Sequence, residues 1–347
     1  MRLTRFLAGA VAVAMSVALA ACGGSDDEAA STDASASTGA SFPITITHAL
    51  GTTTIEKKPT RVATVNWANE EVPLALGIVP VGFAKANFGD DDSDGLLPWT
   101  KKKLDELGGD TEPVLFDETD GIDFEAVADT EPDVILAAYS GLTKQDYETL
   151  SKIAPTVAYP ESPWATAWRD TIKLESRALG LADQGDTLIA DIEKQVKAEV
   201  AKHPNIAGKS AMFITHIDPA DLSKITFYTA HDTRVQFFAD LGLTDAPAVE
   251  KASKASGEFS GTLSAEQIQQ LNDVDIMVSY GDADNKLLGQ LQADPLLGKI
   301  PAIKRGSVVF FPGSGPLATA ANPTPLSISY VTKDYVELLA AAADKVK

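Results

Sequence analysis

Residues able to act as nucleophiles, general bases or metal ligands are few and widely spaced in this sequence. The chain has one cysteine, Cys22, and four histidines, His48, His203, His216 and His231. The histidines form neither an HExxH motif nor a close pair, and the glycines around position 314 lack the longer phosphate-binding fingerprint. No serine stands in a Gly-x-Ser-x-Gly elbow. These patterns argue against catalysis, although His48, His216 and His231 could still converge on a zinc- or manganese-type site.

Ligand binding by aromatic side chains is a better-supported chemistry, because aromatic residues follow several apolar runs. An aromatic ring at a strand end offers apolar area together with a polar tip. The best candidate cation is an arginine at the start of a predicted helix, and nearby polar residues could add hydrogen bonds. Core packing remains the alternative for each aromatic. The predicted ligand-binding residues are Asn66, Trp67, Tyr139, Ser140, Trp164, Tyr228, Arg234, Tyr280 and Asn322.

The segments that would position these residues alternate between strand-like and helical patterns. Residues 44–56 alternate Ile with Thr around a Leu-Gly turn, which predicts an N-terminal hairpin. Short β-branched runs then alternate with helical segments up to residue 159, and the same alternation restarts after residue 210. Strands that alternate with helices predict parallel pairing, with the helices covering the faces of the sheet.

A long helix is predicted between the two α/β halves, over residues 183–203. Leu188, Ile192, Val196 and Val200 recur every four residues, and no proline occurs before Pro204. About 20 residues make a rod of roughly 30 Å. This helix either joins two lobes that leave a cleft between them, or lies on the surface of one large domain.

An internal repeat favours two lobes. Residues 124–141 and 265–282 superimpose without a gap, each reading as a helix, a short turn, an apolar strand and an aromatic residue. Tyr139 falls on Tyr280 in this superposition. Both tyrosines are therefore expected beyond the carboxyl ends of parallel strands, where open α/β sheets bind ligands.

The N-terminus reads as a targeting segment. Arg2 and Arg5 precede an apolar run at 6–18 that is too short to span a bilayer comfortably. The segment Leu19-Ala20-Ala21-Cys22 resembles a bacterial lipobox, which implies a signal peptide at 1–21 and lipidation of Cys22; a plain secretory signal is the alternative. Residues 22–41 are small and polar and predict a disordered tether. No other run approaches about 20 apolar residues. The protein is therefore expected outside the cytoplasm, anchored to the outer face of the cell membrane.

The charge pattern limits the classes of partner. A net charge of −20 argues against nucleic acid, which requires clustered Lys and Arg. Only seven arginines occur, and two of them, Arg2 and Arg5, leave with the signal peptide. Any anionic ligand would therefore have few cations available to bind it.

Several segments resemble the substrate-binding lipoproteins of iron–siderophore ABC importers. They lie at 44–65, 70–84, 131–157, 233–243 and 264–280, and include a Pro-x-Arg-Val strand entry and an LG-x-x-PVG step. The resemblance implies a class III substrate-binding protein with two Rossmann-like lobes, at 42–182 and 204–347, joined by the single long helix at 183–203. It implies a monomeric binding protein, not an enzyme, that needs no cofactor or protein metal ligand and delivers a ferric siderophore to an ABC permease.

The same resemblance implies an acidic docking residue for the permease on each lobe, for which Asp146 or Glu148 and Asp240 are the candidates. The resemblance also bears on which class of ferric chelate the protein binds. Hydroxamate binders of the family commonly carry an arginine after the strand that here ends at Phe116, whereas this chain has Asp117-Glu118-Thr119-Asp120.

The available arginines narrow the choice of chelate further. A ferric tricatecholate is trianionic and needs several cations. Three of the remaining arginines stand in segments that suggest a structural role, namely Arg61, Arg177 and Arg305. The candidates for binding an anionic ligand are therefore Arg169 and Arg234. A neutral or cationic hydroxamate, such as a trihydroxamate with a free amine, is therefore expected. Haem, cobalamin and a secreted α/β enzyme are the alternatives.

Overall fold

The computed structural model describes residues 40–108, 112–281 and 286–346, all within one compact unit. The predicted signal peptide, the lipidation site Cys22 and nearly all of the predicted tether lie outside these ranges. None of the helices in the described ranges combines the length and apolarity needed to cross a bilayer.

The predicted N-terminal hairpin is confirmed. Strands β1 (Ile44–His48) and β2 (Gly51–Ile55) pair antiparallel, with Ile44 opposite Ile55. Alternate residues of β1 are buried, as expected for a hairpin with one face on the core. The hairpin covers the first sheet, and the Thr53 hydroxyl donates to the Thr156 carbonyl at 2.6 Å.

The first sheet is parallel throughout, as predicted. Its strands run in the order β5-β4-β3-β6-β7, so the order reverses between β3 and β6, where open sheets form a ligand crevice. The elements are β3 (Val62–Thr64), α1 (Glu71–Ala75), β4 (Gly82–Ala84), α2 (Pro98–Leu107), β5 (Val114–Phe116), α3 (Phe124–Asp129), β6 (Val134–Ala137), α4 (Lys144–Leu150) and β7 (Thr156–Ala158).

Two packed helices, α5 (Trp168–Ala178) and α6 (Ala182–Val200), connect the sheets. Helix α6 confirms the predicted long helix but ends at Val200, three residues early. The N–H groups of Lys202 and His203 bond carbonyls only three residues back, so the chain tightens out of the α-helix before Pro204. Gly185 lets α6 approach α5 closely, because a Cβ there would lie 2.1 Å from the Ser176 Oγ.

The second sheet has the order β11-β9-β8-β12-β13, with β10 pairing one end of β8. Its first elements are β8 (Ser210–Ile214), β9 (Lys224–Tyr228), α7 (Thr233–Asp240), β10 (Thr244–Asp245), α8 (Pro247–Ala255) and β11 (Ser260–Ser264). A 3₁₀ helix (Ala265–Leu271) follows, and a capping box at Ser264 opens it. The remaining elements are β12 (Ile276–Gly281), α9 (Lys286–Ala293), α10 (Pro301–Arg305), β13 (Val308–Pro312), α11 (Pro316–Thr319) and α12 (Pro325–Ala343).

One edge of this sheet departs from the parallel pairing expected. Strand β9 runs antiparallel to β8, and β11 runs antiparallel to β9. The connection between β8 and β9 contains no helix, so the chain folds straight back on itself instead of crossing over. Strand β12 remains parallel to β8 and β13.

The internal repeat corresponds to equivalent places in the two sheets. Strand β6 pairs with β3, the first strand of its sheet, and β12 pairs with β8, the first strand of the other. Each repeat strand is therefore central and ends at its sheet's point of strand-order reversal. The lobe boundaries at 182 and 204 remain a prediction.

The C-terminal helix adds a second link between the sheets. The Glu71 carboxylate, in α1, accepts hydrogen bonds from the Leu326 backbone N–H at 2.7 Å and the Thr324 hydroxyl at 2.8 Å, at the start of α12. The Trp99 indole N–H donates to the same carboxylate at 2.6 Å. These three donors converge on the two oxygens of Glu71, so Glu71 holds α12 against the first lobe.

A candidate ligand-binding cleft between the sheets

A cleft of about 530 Å³ lies where the carboxyl ends of both sheets meet. Residues that follow β3, β4, β5 and β6 form one wall. The opposite wall comes from the end of β12, the start of α7 and the segment before α12. Seven of the nine predicted ligand-binding residues line it, namely Asn66, Trp67, Tyr139, Trp164, Arg234, Tyr280 and Asn322.

Asn66 ties three strand ends together on the first-lobe wall. Its backbone N–H and its side-chain Nδ2 each donate to the Glu118 Oε2 at 3.0 Å, and its Oδ1 accepts from the Gly141 N–H at 3.0 Å. Asn66 has a φ of 63° and Ala68 a φ of 60°. Such left-handed residues are uncommon outside glycine and cluster at ligand sites. The turn after β3 therefore holds a strained, left-handed backbone conformation at the cleft.

Tyr139 reaches across the cleft from the first lobe to the second. Its backbone is fixed by buried Asn69, whose Oδ1 accepts from the Tyr139 N–H at 2.9 Å and whose Nδ2 donates to the Tyr139 carbonyl at 3.0 Å. The Tyr139 hydroxyl accepts from the Asn322 Nδ2 at 3.1 Å, and the Thr233 hydroxyl donates to the Asn322 Oδ1 at 2.6 Å. Burial raises the pKa of Tyr139, so its hydroxyl stays protonated.

Trp164 supplies an accessible aromatic surface beside Tyr139. Its side chain is 41% exposed, and the two rings meet edge to face with centroids 5.5 Å apart. The indole packs directly on Gly141, where a Cβ would lie 2.3 Å from the indole nitrogen. An exposed ring held this tightly is suited to contacting a ligand with an apolar face.

Arg234 provides the positive charge of the second-lobe wall. Its Nη1 donates to the Asp232 Oδ2 at 2.8 Å, and its Nε donates to the Tyr280 hydroxyl at 2.9 Å. The guanidinium lies over the Tyr228 ring at 4.5 Å, a cation–π distance. Three partners therefore fix the orientation of this arginine before any ligand arrives.

Acidic groups balance the cations of the cleft. The lining contains Lys85 and Arg234, but also Glu70, Glu118 and Asp232. Burial, with repulsion from Glu71, raises the pKa of Glu70 to about 8, and burial raises the pKa of Glu118. Asp232 is paired with Arg234. The cleft therefore has no excess of positive charge.

Two predicted ligand-binding residues need correction. Ser140 has no exposed surface, and its hydroxyl donates to the Ala137 carbonyl at 2.7 Å, so it faces the fold instead of the cleft. Tyr228 lies outside the lining, beneath the Arg234 guanidinium, and acts on the cleft through that contact. The contribution of the other seven residues to binding remains a prediction.

Arg169 and Asp240 are also placed differently from their predicted roles. The Arg169 guanidinium donates to both Asp240 oxygens, at 2.9 and 2.7 Å, and the Trp168 indole N–H donates to the same carboxylate at 3.0 Å. Arg169 is therefore not a cation of the cleft, and Asp240 is not a free docking acid. Together they join α5 to the end of α7.

The first-lobe docking candidates lie in α4. Asp146 completes the capping box of that helix, accepting from the Thr143 N–H at 2.9 Å and hydroxyl at 2.7 Å. Glu148 is exposed, with Lys144 at 3.8 Å as its ion-pair partner. Glu148 is thus the freer of the two acids.

The structure does not bring His48, His216 and His231 together as a group of metal ligands in the described part of the chain. His48 bonds the Thr53 hydroxyl at 3.0 Å within the hairpin, and His231 bonds backbone carbonyls of the second lobe. The only close group of possible metal ligands in the described ranges is Asp90, Asp92 and Asp94. The Lys101 ammonium already sits 2.5 Å from two of these carboxylates.

Sequence reasoning missed the polar residues behind the aromatics. Asn69, Glu70 and Glu71 begin two residues after the predicted Trp67. Two consecutive acids at the start of an otherwise apolar helix are a signal that could have identified them. Glu118 belongs to the acidic stretch that was noted only for lacking an arginine. Phe83 and Phe259 also line the cleft.

Known proteins resemble this chain over most of its length. The periplasmic binding protein family model matches residues 62–314. The Bacillus subtilis protein named probable siderophore-binding lipoprotein YfiY is 29% identical over 309 residues, covering 83% of this chain and 85% of its own.

Solved structures show the same similarity in three dimensions. Streptococcus pneumoniae PiaA, crystallised in complex with ferrichrome, is 48% identical with a TM-score of 0.81, over 88% of this chain and all of that one. A Mycobacterium smegmatis periplasmic solute binding protein is 25% identical with a TM-score of 0.68, over 87% of this chain and 99% of that one.

Proposed function

This chain belongs to the periplasmic binding protein family, and from that premise we propose that it binds a ferric siderophore of the hydroxamate type in the cleft and delivers it to an ABC importer. The similarity to PiaA, whose crystal structure contains ferrichrome, supports the ligand class. The name of the B. subtilis relative supports siderophore binding and attachment to the membrane by lipid.

The charge balance of the cleft is the observation that carries the proposal. Three hydroxamates neutralise one ferric ion, so a ferric trihydroxamate is neutral, whereas a ferric tricatecholate carries three negative charges. Recognition of a trianion needs several unpaired cations. Here Lys85 and Arg234 share the lining with Glu70, Glu118 and Asp232, and Asp232 already pairs with Arg234. A neutral complex therefore fits this cleft better than a trianion.

The lining residues suggest how such a complex is held. Trp67 and Trp164 offer apolar faces to the organic shell of the chelate. The Nη2 of Arg234 makes no hydrogen bond within the described ranges, so it can donate to a hydroxamate oxygen. The chelator satisfies the coordination of the iron, and recognition depends on shape, aromatic contact and a few hydrogen bonds.

Delivery requires a permease and an anchor. Lipidation of Cys22 would hold the protein at the outer face of the membrane, as the lipoprotein names of relatives support. Glu148 remains a candidate for docking on the permease, and the protein acts as a monomer. A binding protein releases its ligand unchanged, so recovery of intact ferric chelate after release distinguishes this function from an enzyme.

Tryptophan fluorescence of the soluble form beginning at Ser41 tests the proposal. Titration with ferrichrome is expected to quench emission saturably, and iron-free ferrichrome serves as the control for the metal complex. Arg234→Ala should weaken binding about tenfold or more, equivalent to about 1.4 kcal/mol. Absence of saturable quenching, confirmed by equilibrium dialysis, would contradict the proposal and bring haem or cobalamin forward.

A further inference from the structure

The first-lobe wall of the cleft carries a carboxylate oxygen that has no partner. Both hydrogen bonds accepted by Glu118 go to its Oε2, from the backbone and side chain of Asn66. Its Oε1 is buried and accepts no hydrogen bond within the described ranges. A buried acceptor without a donor is destabilising, because it has lost its hydrogen bonds to water and gained none in the protein. The protein therefore holds this oxygen at a cost that a ligand could relieve.

Glu118 is placed to meet a ligand. It follows β5 and lines the cleft, and it also lines the adjoining depression with Lys85, Asn87 and Ser314. The terminal torsion of a glutamate side chain is soft. Rotation about this torsion is therefore the movement by which Oε1 could meet a ligand in the cleft that Glu118 lines.

The charges of the cleft are arranged across it. Glu70, only 4% exposed, lies on the same wall as Glu118, and its Oε1 accepts one long hydrogen bond of 3.3 Å from the Thr100 hydroxyl. The arginine of the cleft lies on the opposite wall, where Asp232 pairs with it. On the first-lobe wall, Lys85 and Glu118 both line the cleft but form no ion pair with each other within the described ranges, and Arg234 donates hydrogen bonds on the second-lobe wall.

We propose that Glu118, oriented by Asn66, forms a subsite for a primary ammonium group carried by the ferric hydroxamate. This inference rests on the proposed function and deepens it, because it names the chemistry of the ligand's periphery. The hydroxamate oxygens face Arg234, and the pendant ammonium reaches the Glu118 carboxylate, where it satisfies Oε1. A charge-assisted hydrogen bond of this kind is about twice as strong as a neutral one.

A matched pair of ligands tests the subsite. Ferrioxamine B ends in a primary ammonium, and N-acetylation removes that charge while leaving the iron centre unchanged. The wild-type protein should bind the ammonium form about tenfold more tightly than the acetylated form, measured by isothermal titration calorimetry. Glu118→Gln should reduce this ratio to within about twofold, because the amide keeps an acceptor for Asn66 but loses the charge.

Two further variants separate the subsite from a structural role. Asp120→Asn removes the same charge from an exposed residue two positions further along the chain, which lines neither the cleft nor the adjoining depression, and should leave the ratio unchanged. Glu118→Asp keeps the carboxylate and should retain part of the preference, which covers the case in which the glutamine variant folds poorly.

The outcomes distinguish the two proposals. Equal wild-type affinities for the two ferrioxamines, or an equal loss of both in Glu118→Gln, would overturn the subsite while leaving hydroxamate binding intact. Failure of the wild-type protein to bind either ferrioxamine or ferrichrome would overturn both the subsite and the proposed function.

Discussion

Removing Asp240 should weaken the join between α5 and α7, because its carboxylate accepts three hydrogen bonds there. Two come from the Arg169 guanidinium, at 2.9 and 2.7 Å, and one comes from the Trp168 indole at 3.0 Å. The Arg169 guanidinium also lies over the Trp168 ring at 4.1 Å. In Asp240→Ala the Trp168 indole would lose this acceptor, and Arg169 would keep Glu193 as its remaining carboxylate partner.

The expected cost follows from the burial of this group. Hydrogen bonds to charged groups contribute about 1.5–3 kcal/mol each when buried, and exposed pairs contribute well under 1 kcal/mol. The side chains of Asp240 and Arg169 are 18% and 32% exposed, which places the pair between these limits. Asp240→Ala should lower the free energy of unfolding by about 2–4 kcal/mol, of which about 1.5–2.5 kcal/mol is coupling with Arg169.

A double-mutant cycle with Arg169→Ala and Asp240→Ala, measured by urea unfolding at pH 7, isolates that coupling. The matched control is Glu193→Ala, which removes the other carboxylate from the same arginine and should destabilise the fold less than Asp240→Ala does. A coupling below about 0.5 kcal/mol would refute this reasoning.

Two further predictions concern the cleft wall. Burial raises the pKa of Glu70 to about 8 and of Glu71 to about 7, above the ordinary 4.5, so the folded state keeps protons that the unfolded chain releases. Their stabilising contribution is complete below pH 4.5 and is lost as pH rises towards 8. The free energy of unfolding, measured in urea, should therefore be lower at pH 8.5 than at pH 6. The Glu70→Gln/Glu71→Gln double variant should make this free energy depend less on pH. An unchanged pH dependence in the double variant would contradict the assignment of the raised pKa values to these two residues. Gly141→Ala places a Cβ 2.3 Å from the Trp164 indole nitrogen and should lower chelate affinity about tenfold by fluorescence titration. Gly289→Ala, where a Cβ meets nothing within 4 Å, is its control, and equal affinities in the two variants would exclude a positioning role for the glycine.

Local patterns predicted the elements well because they depend on short-range physics. The four-residue spacing from Leu188 to Val200 produced helix α6, and the Ile–Thr alternation produced the hairpin. The pairing of Tyr139 with Tyr280 followed from one rule, that parallel strands gather their carboxyl ends at one edge of a sheet. Both residues do line the cleft.

Polar contacts between residues that are far apart in the chain leave no comparable local pattern in the sequence. Asp240 meets a partner 71 residues earlier in the chain, and Glu71 meets Leu326 across 255 residues. A sequence shows the charges but not which ones meet. The antiparallel β9 was predictable in part, because no helical period lies between it and β8.

The central claim is that a cleft without excess positive charge selects a neutral or cationic ferric chelate. Isothermal titration calorimetry of the soluble protein with ferrichrome and with a ferric tricatecholate, at pH 7 and physiological salt, tests it most directly. The charge balance predicts that ferrichrome binds at least about a hundredfold more tightly, a difference of about 2.7 kcal/mol. Equal or tighter binding of the tricatecholate would contradict the claim.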